Sequence, residues 1–90
     1  MVKNLKLRVS DLSEEQVKMI QDAAQKTWST IAADVYELCD GRPSQSEVIE
    51  FILDADRIAM YGCQEAQDLL HKMSWAQQKK LMKTLTQNWV

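Results

Sequence analysis

Asn4, Lys6 and Arg8 alternate with Leu5, Leu7 and Val9 near the start of the chain. On extended backbone, successive side chains leave on opposite faces, so the three polar residues share one face and the three apolar residues the other. The polar set consists of hydrogen-bond donors suited to base edges. Arginine or lysine donates to O6 and N7 of guanine, and asparagine pairs with N6 and N7 of adenine. Each good bidentate contact discriminates between bases by about 1–3 kcal/mol. A second group with binding chemistry follows Gly41. Arg42, Ser44 and Ser46 stand at the predicted start of a helix, where free backbone N–H groups and the positive dipole end suit a phosphate. Glu47 counts against an anion there unless its capping role holds it aside.

The first group needs a strand to position it, and residues 4–9 carry the one clear strand signal. The rest of the chain reads as helix, so this strand has no mate in its own chain. A lone strand is unstable, and even a hairpin is marginal in water. Two copies of the chain would supply each other, which predicts a two-stranded ribbon across a two-fold axis.

The helices are read from caps and apolar spacing. Ser13 and Gln16 form a capping box, Leu12 and Val17 occupy staple positions, and Glu14 and Glu15 favour the first turn. The stripe Val17, Ile20, Ala24, Trp28, Ile31, Val35, Leu38 predicts a first helix over Glu14–Cys39, ended by Gly41 and Pro43. Thr27-Trp28-Ser29-Thr30 is its weakest run. Ser44 and Glu47 form a second box and open a helix over Gln45–Tyr61, stopped by Gly62. That helix is apolar on several sides, so burial against a second subunit is expected. A third helix is predicted within residues 63–73. Ser74 and Gln77 open a fourth through a third capping box, with Leu81, Met82, Leu85 and Trp89 as its stripe.

Ninety residues make one small domain, near the lower limit for folding alone. The net charge of −2 argues against nucleic acid when taken whole. Its distribution matters more: residues 1–9 hold Lys3, Lys6 and Arg8 and no acid, residues 10–62 hold eleven acids against four bases, and residues 63–90 are basic through Lys72, Lys79, Lys80 and Lys83. No apolar run is long enough for a bilayer and no signal-peptide core is present, so a cytoplasmic location is expected.

A basic alternating strand, a helix, the turn Gly41-Arg42-Pro43 and a second helix opened by Ser44-Gln45-Ser46-Glu47 resemble the ribbon-helix-helix DNA-binding family. The resemblance covers Asn4–Val9 and Gly41–Tyr61. The first helix is longer than the family's usual one, and residues 63–90 fall outside the motif. The resemblance implies a mostly α fold with one N-terminal strand, an obligate homodimer and a ribbon that enters the major groove of double-stranded DNA. It implies base contacts from Asn4, Lys6 and Arg8 and phosphate contacts from Arg42, Ser44, Gln45 and Ser46. The expected function is a transcriptional regulator, a repressor of phage or plasmid type, with residues 1–62 as its core. Residues 63–90 would be a helical extension that packs on that core or holds a protein partner.

Blander readings stand beside these. A charged strand face also guards against aggregation. Trp28, Trp75 and Trp89 read as core or interface anchors. Cys39 and Cys63 read as buried free thiols, His71 as a surface histidine, and Lys79, Lys80 and Lys83 as a solvated face. No catalytic constellation, metal-ligand spacing or cofactor motif is present, so neither an enzyme nor a cofactor is expected. The rival function is a small helical interaction protein that binds a protein partner and no DNA.

Overall fold

The computed structural model describes residues 7–87. Serine caps set the main helix starts. The Ser13 hydroxyl accepts from the Gln16 N–H at 3.1 Å, and the Gln16 side chain accepts from the Ser13 N–H at 2.9 Å, opening α1 (Glu14–Leu38). Ser44 and Glu47 repeat the exchange at α2 (Gln45–Leu53). α3 (Gln64–His71) follows, and Ser74 caps α4 (Trp75–Leu85). At 1.5 Å per residue α1 is about 38 Å long, and the molecule's longest dimension is 39 Å.

α1 passes unbroken through its weakest run. The Thr27 hydroxyl donates to the Ala23 carbonyl at 2.8 Å and the Thr30 hydroxyl to Lys26 at 2.9 Å, so both bond along the helix instead of competing with it. The helix ends on paired turn bonds, Gly41 N–H to Tyr36 and Asp40 N–H to Glu37. Asp40 takes the left-handed conformation at φ 52°, one position before the glycine expected there, and Gly41 follows at φ 140°.

The core joins Ile20, Ala23 and Ala24 of α1 to Val48, Ile49, Ile52 and Leu53 of α2. Ile58, Ala66, Leu70, Met73, Leu81 and Met82 complete it. Residues after Gly62 therefore share one core with those before it.

The expected ribbon-helix-helix fold is not adopted. Among the described residues there is no strand. Leu7 makes a single parallel bridge to Met73, its N–H donating to the Lys72 carbonyl at 3.1 Å. Arg8 then leads into a 3-10 turn over Val9–Asp11. The Val9 N–H donates to Gln77 Oε1 at 3.1 Å, while Leu7, Val9 and Leu12 pack half-buried on the core. Apolar alternation asks only that one face be covered, and here the chain's own C-terminal helices cover Leu7 and Val9. The backbone donors of Leu7 and Val9 are thereby used internally. Asn4 to Lys6 of the expected strand lie outside the described residues.

The second helix is also shorter than expected. It breaks after Leu53 in a turn over Asp54–Asp56, with Ala55 at φ 53° and Asp56 at φ 52°. The chain resumes as one π-helical turn, Ile58–Gly62, packed along α1. A straight helix to Tyr61 would have presented roughly 25 Å of apolar surface. The break divides that surface between two short elements that one chain can cover. Val48, Ile49, Ile52, Leu53 and Ile58 are all buried without a second subunit.

Candidate interaction surface

Of the residues expected to read bases, Asn4 and Lys6 lie outside the described residues. Arg8 is exposed, and its Nε stands 3.7 Å from Asp11 Oδ2 across one turn. Of the expected phosphate group, Arg42 and Ser46 are exposed, whereas Ser44 is engaged in its cap. Gln45 is used elsewhere. Its Nε2 donates to the Lys83 carbonyl at 3.1 Å and to Thr86 Oγ1 at 3.0 Å, tying α2 to α4.

The start of α2 already holds an anion of its own. The Glu47 carboxylate accepts from the Ser44 N–H at 3.1 Å and from the Cys39 thiol at 3.4 Å. The Ser44 backbone bond, and then the thiol, hold Glu47 below its ordinary pKa. Cys39 is pushed up, by desolvation first and then by its bond to Glu47 and that group's negative charge. An ionised carboxylate thus meets the helix dipole where a phosphate was expected.

The C-terminal end of α1 breaks local rules. Ile31 and Val35 are buried, and Leu38 continues their stripe three residues on. Leu38, in the last turn of α1, is nevertheless 74% exposed. Tyr36 is 45% exposed, its ring 6.3 Å from that of Trp28 at a tilt of 46°. Asp34, Glu37 and Asp40 are exposed along this apolar end, and the last turn holds no basic residue. Carboxylates at a helix C-terminus oppose its dipole.

A second exposed feature lies between α2 and α4. Trp75, at the first position of α4, is 49% exposed. It borders a slot of about 280 Å³ whose other walls are Glu50, Phe51 and Asp54. Arg57 is held on Phe51, its guanidinium carbon 5.6 Å from the ring centroid and its Nη1 donating to the Phe51 carbonyl at 2.6 Å. The i, i+4 spacing of Glu50 and Asp54 was legible in the sequence. The arrival of Trp75 beside them was not.

Lys79, Lys80 and Lys83 form a row with Ala76 on the outer side of α4, and among the described residues none of them makes an ion pair. His71 is exposed and lies 3.1 Å from Asp56. Cys39 and Cys63 are free thiols, each half-buried rather than buried. No group of three or more His, Cys, Asp or Glu residues placed to hold a metal occurs among the described residues. No described helix is long and apolar enough to cross a membrane. No protein-family model, no curated protein and no solved structure matches this chain.

Proposed function

We propose that the chain is a small helical module that binds a protein partner through the C-terminal end of α1. The observation that carries this reading is the exposure of Leu38 on the same stripe as buried Ile31 and Val35. The stripe ends on an exposed leucine, and the exposed Asp34, Glu37 and Asp40 lie beside it along the chain, against the helix dipole. Such local conflicts in an otherwise consistent fold are expected at functional sites. Met60, on the turn before α3, is a second exposed apolar side chain, 66% exposed.

A second reading keeps double-stranded DNA as the partner, engaged through the α4 row. Half-buried Lys79 and exposed Lys80 and Lys83 favour it, because lysines on one helix face can neutralise phosphates without reading bases. The acidic balance of the whole chain weighs against it.

Photo-crosslinking separates the two. A crosslinking residue at Leu38 or Met60 should form discrete adducts with a protein in the producing cells, and one at exposed Thr30 should not. The reading fails if neither position yields adducts while the protein shifts random duplex in a salt-sensitive manner that Lys79→Ala/Lys80→Ala/Lys83→Ala removes.

A further inference from the structure

We propose that the slot between Phe51 and Trp75 receives one cationic side chain, an arginine in preference to a lysine, from a basic segment of a partner protein. This rests on the reading of the chain as a partner-binding module and adds a site and a chemistry to it.

The indole of Trp75 sits half in solvent at a helix start, a position that needs no aromatic residue. Across the slot, Glu50 and Asp54 stand one turn apart on the α2 side. Among the described residues neither carboxylate has an ion-pair partner. Arg57, the cation nearest to them in sequence, is held on the Phe51 ring and carbonyl instead. Arg57 is therefore engaged by Phe51 and is not among the residues that line the slot, while Trp75 stays half-exposed and both carboxylates stay exposed.

A half-exposed indole with two carboxylates lining the same slot selects for positive charge. A guanidinium can stack on the indole and donate two parallel hydrogen bonds to a carboxylate. A lysine ammonium lacks the planar fork, so it fits less well. A phosphate or nucleotide would meet two like charges, and a wholly apolar side chain would strip water from the carboxylates without pairing them. A slot of about 280 Å³ suits one long side chain rather than a helix.

The test is a titration of the whole chain with the peptide Gly-Gly-Arg-Arg-Gly-Gly at low salt, followed by the NMR signal of the Trp75 indole N–H. Lysine and glutamate versions of the peptide serve as comparisons. The Trp75 signal should shift and saturate with the arginine peptide, less strongly with lysine, and not with glutamate. Glu50→Gln/Asp54→Asn should weaken binding at least tenfold more than Asp34→Asn/Glu37→Gln, an equal charge change at another exposed acidic pair. Unchanged denaturation midpoints would show that both double variants stay folded. Any smaller difference between the pairs, or a Trp75 signal that does not move at saturation, overturns the slot. If adducts at Leu38 and Met60 form while the slot test fails, the partner-binding reading stands and this site falls alone.

Discussion

Gly62 presses its backbone directly onto Ala23 of α1. A Cβ at Gly62 would lie 2.7 Å from the Ala23 carbonyl oxygen and 2.9 Å from the Ala23 Cβ. The contact docks the 58–62 turn along α1. An ordinary helical glycine gains roughly 0.5–1 kcal/mol on replacement by alanine. Here the steric cost of overpacking, about 1–3 kcal/mol, should win. Gly62→Ala is expected to lower stability in urea unfolding, and a midpoint that holds or rises would show that the two elements part without cost.

The break after α2 makes the opposite prediction. Ala55 is exposed and left-handed at φ 53°, a conformation that costs a residue with a Cβ about 1–2 kcal/mol. Ala55→Gly removes that cost and loosens the unfolded chain, for a net gain of about 0.5–1 kcal/mol. Thermal unfolding should show a higher midpoint. A lower one would mean that the chain does not turn at Ala55 in this way.

Gln77 holds the N-terminal segment to α4 through the Val9 N–H. Gln77→Ala should cost about 1 kcal/mol and speed hydrogen exchange at Val9. The start of α4 should stay protected, because the Ser74 hydroxyl still accepts from the backbone N–H at position 77. Unaltered exchange at Val9 would separate the N-terminal segment from α4.

Glu47 and Cys39 give the fold a pH signature. The folded pKa of Glu47 is lowered, so its contribution is present above the unfolded glutamate value and is lost as pH falls through the folded one. Glu47→Gln should flatten the acid limb of the urea midpoint plotted against pH. The folded pKa of Cys39 is raised, so its contribution is present below the unfolded thiol value and is lost as pH rises through the folded one. Cys39 should react with a disulfide reagent more slowly than a free thiol, and faster once Glu47 is neutral. Equal reaction rates in the two proteins would dissociate the thiol from Glu47.

The candidate slot was only partly readable in advance. Glu50 and Asp54 share a helix side by their spacing alone. Trp75 stands far along the chain, and its type suggested an anchor in a core or interface. Its place beside Phe51 depends on how α4 crosses α2, which Gln45 fixes through the Lys83 carbonyl and Thr86. Leu38 shows the same division. Its position on the α1 stripe follows from period, but its exposure depends on which elements pack against that turn.

By itself the sequence determined where helices begin and how far α1 runs. Ser13, Ser44 and Ser74 bond to the N–H three residues on, and such contacts need nothing beyond the local chain. Tertiary structure alone decided the fate of Leu7–Val9, the break at Ala55 and the partner of Gln77. Alternating apolar residues specify a face to be covered, not what covers it. Gln77 had the spacing to close a capping box, yet its carbonyl went to Val9 once the N-terminal segment lay within reach. No glycine or proline marks residues 54–56, because that turn is set by the burial of Ile58 and the close fit of Gly62 on α1.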